Sequence, residues 1–109
     1  KDTIERVLPY YEAAIVPELR VLEGHFPGAP VLPGVAQLHW AILLGQEAFA
    51  LPGRFLRAEQ LKFQMPIQPP LQVEIALEWQ EERSALAFRF VSPLGTHSSG
   101  RIIFGTGDV

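Results

Sequence analysis

The chain has 109 residues, of which 48% are hydrophobic and 19% charged, with nine Lys and Arg against twelve Asp and Glu for a net charge of −3. That balance describes one small globular domain over residues 1–109 and excludes a nucleic-acid binder, which needs a dense Lys/Arg face to neutralise phosphates. With no cysteine, disulfide scaffolds, zinc–thiolate sites and thiol nucleophiles are excluded, and a cytoplasmic location is the expectation.

Residues 1–22 mix short apolar and polar stretches broken by Pro9 and Pro17, and read as a turn of helix followed by strands at 13–16 and 19–22. Residues 24–34 then alternate Pro or Gly with single apolar residues, which suits neither regular helix nor strand and makes a shaped loop. No Asp, Glu, Lys or Arg occurs between residues 24 and 46, yet Pro27, Pro30, Pro33 and four glycines there rule out one membrane-spanning helix.

A helix begins after Pro33, which is well placed at a helix start because its missing N–H has no partner there anyway, and runs for about seventeen residues toward Pro52-Gly53. Val35, Leu38, Ile42, Gly45 and Phe49 repeat on one face, and Ala36, Trp40, Leu43, Leu44 and Ala48 cover most of the remainder, so something must wrap this helix. His39 and Gln46 fall on the predicted buried stripe, His39 about 40° from Val35 around the axis. Two buried polar groups would need partners, because each one left unsatisfied costs about 1–3 kcal/mol.

Period-two alternation supplies the wrapping layer. Leu61, Phe63 and Met65 alternate with Gln60, Lys62 and Gln64, and Val73, Ile75, Leu77 and Trp79 alternate with polar neighbours, so each run reads as a strand with one buried face. Leu86, Phe88 and Phe90 extend the pattern, residues 81–84 and 93–96 read as hairpin turns, and residues 100–104 close a four-strand antiparallel meander. So few charges on so small a chain predict that apolar surface is also buried between subunits.

Three histidines could carry chemistry. His25 lies in the stiff loop, where the residues alone leave open an acid/base group or a histidine satisfied by a backbone carbonyl. His39 is either an acid/base group facing a pocket or a structural hydrogen bond across a subunit interface. His97, beside a turn, reads as an exposed polar residue. Gly34 opens the helix, where unpaired N–H groups and the positive dipole end suit a carbonyl oxygen gaining negative charge, and a glycine permits close approach. No metal site is expected, since there is no cysteine and no His-x-x-x-His pair, and no phosphate-binding loop of common spacing is present. Arg54, Arg57 and Lys62 form a modest basic group, read as a solvated face or as a docking patch for an acidic partner.

The run Gly24-His25-Phe26-Pro27-Gly28-Ala29-Pro30-Val31-Leu32-Pro33-Gly34-Val35 resembles the signature of the 3-hydroxyacyl-(acyl carrier protein) dehydratases of fatty-acid synthesis. The resemblance implies an α+β hotdog fold, with a long helix wrapped by a curved antiparallel sheet. It also implies a homodimer or higher even-numbered oligomer with its sites between subunits, an acyl carrier protein as partner, and no cofactor. By position, His25 corresponds to the catalytic His, the Val31 backbone carbonyl to the group that orients its ring, and the Gly34 N–H to the donor that polarises the thioester carbonyl. Phe26, Pro33 and Val35 are the acyl-pocket candidates. The chain departs from the family where a Glu or Asp follows the His by fourteen residues on the partner's helix: here that position is His39, and the family's helix Gln is Leu43. The run from Gln37 to Ala41 also resembles small dehydratase-like proteins of aryl polyene synthesis. Two other functions fit the same scaffold, a non-catalytic acyl-thioester-binding or partner subunit and, less well, a hotdog thioesterase.

Overall fold

Alternating apolar residues build most of one antiparallel sheet, and among the described residues a single α-helix lies against it. The computed structural model describes residues 4–7, 10–16, 31–51 and 53–105. Two short strands, β1 (Ile4–Val7) and β2 (Tyr10–Ile15), precede helix α1 (Gly34–Ala48). Four longer strands follow: β3 (Arg54–Phe63), β4 (Leu71–Gln80), β5 (Ala85–Ser92) and β6 (Gly95–Gly105). The order across the sheet is β1-β2-β4-β5-β6-β3, and every neighbouring pair is antiparallel. The helix therefore joins β2, near one margin, to β3 at the other.

The expected meander is present with two corrections. Residues 4–7 form a strand instead of a turn of helix, so the sheet has six strands, and the last strand starts at Gly95 instead of Gly100. The expected strand at 19–22 lies outside the described residues. Both predicted hairpin turns occur. A 3₁₀ turn at Glu81–Arg83 ends on Ser84 in the left-handed region, φ 48°, and joins β4 to β5, while Pro93 and Leu94 join β5 to β6.

One face of the sheet carries the core. Val73 and Ile75 of β4, Leu86, Phe88 and Phe90 of β5, and Ile102 and Phe104 of β6 are buried, joined by Ala13 and Ile15 of β2. Register makes these neighbours, since Ile75 faces Phe90 and Leu86 faces Ile102 across the ladder. Trp79 and Phe104 meet edge to face with ring centroids 6.2 Å apart, a preferred aromatic geometry.

The helix buries Ala36, Gln37, Ala41, Leu44 and Gly45. The buried face is rotated from the predicted one: Gly45 of that stripe is buried and Leu38, Ile42 and Phe49 pack partly against the core, but Val35 is 75% exposed and His39 and Gln46 are exposed too. The reason is close approach: a Cβ built on Gly45 would come within 2.3 Å of Leu86 Cδ2, so the helix turns its small residues toward the sheet. Strand β3 departs from expectation as well. Leu61 is 39% exposed and Phe63 51%, so neither belongs to a buried face of this chain alone.

Candidate active site

The helix start and the extended segment leading into it form one wall of a cleft of about 300 Å³. Val31, Leu32, Gly34 and Gln37 line that wall, and Phe63, Met65 and Pro66 line the other. Pro33, extended at φ −61° and ψ 150°, caps α1, and its carbonyl accepts the Ala36 and Gln37 N–H groups at 3.1 Å each. The N–H of Gly34 lies in the first turn, where no earlier helical carbonyl exists to receive it. A Cβ at Gly34 would stand 3.0 Å from Cε1 of the half-exposed Phe63 ring, which would have to give by a few tenths of an ångström, so glycine leaves this approach open. The cleft thus combines an apolar ring, a helix-start N–H with no partner among the described residues and an extended carbonyl-bearing segment, an arrangement suited to holding a polarised acyl group.

Of the residues expected to serve the site, Val31 and Gly34 line this cleft. Pro33 is half-buried beside it, whereas Val35 projects from the helix into solvent. His25 and Phe26 lie outside the described residues. His39 is exposed, one turn beyond Val35 and one turn before Leu43, and makes no hydrogen bond among the described residues. The three thus form an exposed stripe of two apolar side chains and an imidazole at spacing i, i+4, i+8. Of the basic group, Arg57 pairs with Glu59 at 2.9 Å while remaining largely exposed, so the pair adds little stability.

Two polar residues behind the cleft were not foreseen. His97 is fully buried, a correction to its reading as an exposed turn residue. In the β5–β6 ladder Phe90 faces Ser98 and Val91 faces Thr96, so His97 is the extra residue of a β-bulge. Successive strand residues normally face opposite sides, but the bulge lets His97 and Ser98 both be buried. His97 Nδ1 lies 3.2 Å from the carbonyl oxygens of both Met65 and Pro66, so it carries the proton and donates, and Nε2 accepts from the Ser92 hydroxyl at 2.7 Å. Ser98 donates to Gln37 Oε1 at 2.6 Å, and Gln37 Nε2 donates to the Leu32 carbonyl at 3.0 Å. A sequence pattern hides such a device, because a bulge shifts the alternation on which strand faces are assigned.

One helix laid on an antiparallel sheet is the arrangement of the hotdog fold, and solved structures agree. Over 86% of this chain and 83% of the other, it superposes on a structure described as the dehydratase heterocomplex ApeI:P from Xenorhabdus doucetiae, with TM-score 0.80 and 35% identity. An uncharacterized protein from Erwinia carotovora subsp. atroseptica matches with TM-score 0.75 and 32% identity over 92% and 87% of the two chains. The ApeI-like family model, ApeI dehydratase, matches residues 7–101, and the chain belongs to that family. Among curated relatives, the 3-hydroxyacyl-[acyl-carrier-protein] dehydratase FabZ of Erythrobacter litoralis is 37% identical across 57% of this chain and 47% of its own length. The FabZ of Zymomonas mobilis is 26% identical across 78% and 62%. The chain spans about half the length of the curated relatives it matches most strongly.

Among the described residues no helix is long and apolar enough to cross a membrane, and no group of three His, Asp or Glu could hold a metal ion.

Proposed function

We propose that this chain dehydrates a 3-hydroxyacyl thioester, carried by an acyl carrier protein, to the trans-2-enoyl thioester in fatty-acid or aryl-polyene-like synthesis. The observation that carries the proposal is the Val31-to-Gly34 segment and helix start lining a cleft in a chain of the ApeI-like dehydratase family. His25 takes the C2 proton, and the Gly34 N–H stabilises the charge that grows on the thioester oxygen as the enolate forms. The C3–O bond then breaks and the leaving hydroxide takes a proton from His39 as imidazolium, releasing water. His25 gains the C2 proton while His39 gives a proton to the leaving hydroxide, so charge balances over the step.

His39 must come from a second subunit, as the family resemblance implies. Its stripe with Val35 and Leu43, together with exposed Phe55, Leu56, Leu61 and Phe63 on edge strand β3, supports a homodimer joined over this side. Arg54, Arg57 and Lys62 on the same strand are the proposed docking group for an acidic carrier protein. A cytoplasmic location goes with that partner and with the absence of cysteine.

A second reading follows from His39 standing where the family has a carboxylic acid, and from one structural relative being a heterocomplex. In it the chain binds the acyl thioester and a related subunit supplies the acid. Hydration of a trans-2-enoyl thioester, the reverse reaction, separates the two through loss of enoyl absorbance. Turnover by wild type supports the dehydratase. A silent wild type with turnover in His39→Glu assigns the chain to the binding role, and release of free thiol from a saturated acyl thioester would indicate a thioesterase instead.

A further inference from the structure

Three consecutive peptide planes run into the helix, and each has its own restraint. The plane between Val31 and Leu32 is fixed by the Leu32 N–H, which donates to the Ile67 carbonyl at 2.8 Å. Because a trans peptide is planar, that bond turns the Val31 carbonyl to the opposite side, away from Ile67. The plane between Pro33 and Gly34 is fixed by the Pro33 carbonyl, which accepts the Ala36 and Gln37 N–H groups. Between them, the Leu32 carbonyl is held by a side chain, the Gln37 amide.

Gln37 is 4% exposed and sits on a helix face otherwise made of Ala36, Ala41, Leu44 and Gly45. An amide on an apolar face is costly unless its groups are paired, and both ends of this one are: Nε2 to Leu32 and Oε1 from Ser98. Ser98 in turn is buried because of the bulge at His97, and its hydroxyl donates to Oε1 at 2.6 Å. The Leu32 carbonyl can only accept, so it fixes Nε2 as the end that faces it, and Ser98 on β6 anchors the other end.

We propose that Gln37, oriented by Ser98, is a positioning residue that sets the angle between the Val31 carbonyl and the Gly34 N–H. This deepens the dehydratase reading and rests on it: Val31 would aim the base, Gly34 would receive the oxyanion, and Gln37 would hold the peptide plane that links them. Gln37 touches no reacting atom. Loss of its donor lets the Leu32 carbonyl swing, and an error of about 1 Å in a reacting group can cost about 100-fold in rate.

The test measures kcat and KM for hydration of a trans-2-butenoyl thioester, with the melting temperature and the hydrogen exchange of the Leu32 amide, in wild type, Gln37→Leu, Gln37→Glu, Ser98→Ala and Ser98→Thr. Gln37→Glu keeps the size and the acceptor for Ser98 and, once ionised, has no donor for Leu32, so assayed at a pH where its carboxyl is ionised it separates positioning from packing. The expected result is a fall in kcat of about 10- to 100-fold in both Gln37 variants with KM within about twofold. Leu32 exchange quickens while amides of β4 and β5 keep their protection. Ser98→Ala loses less, and Ser98→Thr, which restores the hydroxyl, regains most of the wild-type kcat. A folded Gln37→Glu with wild-type kcat and Leu32 protection overturns the proposal, even if Gln37→Leu does not fold. A silent wild type counts against the dehydratase reading, and Leu32 exchange then decides the clamp by itself: unchanged protection in Gln37→Glu overturns it.

Discussion

The middle of this sheet and its β3 margin obey the same alternation rule and meet different surroundings. Around β4, β5 and β6 the inward residues Val73, Ile75, Leu86, Phe90 and Ile102 are completely buried, while on β3 the apolar residues Phe55, Leu56, Leu61 and Phe63 are 38–51% exposed. Sequence alternation reports that a face is to be covered, and it does not report by what. In the closed half the cover is this chain's own helix and strands. In the open half, edge strand β3 and the helix stripe at Val35, His39 and Leu43 present apolar surface that a second subunit can cover, and the proposed acid lies within that stripe.

Three substitutions sharpen this contrast, in descending order of effect. Phe90→Ala should destabilise the chain by about 3–5 kcal/mol, because a completely buried ring leaves a cavity that the sheet cannot fill, and urea denaturation reads the loss. Gly45→Ala should cost about 1–3 kcal/mol by the same measurement, since the added methyl meets buried Leu86. Leu43→Asp, alone or with Phe55→Asp, should change the stability of the separated chain by no more than about 0.5 kcal/mol while abolishing self-association in sedimentation. An open-half substitution that unfolds the dilute chain as severely as Phe90→Ala would erase the distinction between the halves.

How legible each half was follows from the same contrast. The meander was readable because Val73 to Trp79 and Leu86 to Phe90 alternate without interruption, and the helix because Pro33 starts a long apolar run. The face the helix buries was not readable. A helix apolar nearly all round has no sequence-encoded inside, and the choice fell to Ala36, Ala41 and Gly45, whose small size lets Leu86 and its neighbours approach. Val31 and Gly34 were identified through a loop motif and do line one cleft, whereas Gln37, Ser98 and His97 carried no signal. Gln37 passed as one polar residue among apolar neighbours, and the bulge at His97 moved two side chains onto faces that strict alternation denies them.

The proposed site is completed across two subunits, with His25 from one and His39 from the other. Subunit complementation tests it directly: His25→Ala and His39→Ala chains are each assayed for enoyl-thioester hydration, then unfolded together, refolded as a mixture and assayed again. Random pairing makes half the dimers hybrids, each with one intact site, so two inactive chains should regain about one quarter of wild-type activity. Hybrids demonstrated by mass that show no more activity than the two variants alone would contradict a shared His25–His39 site.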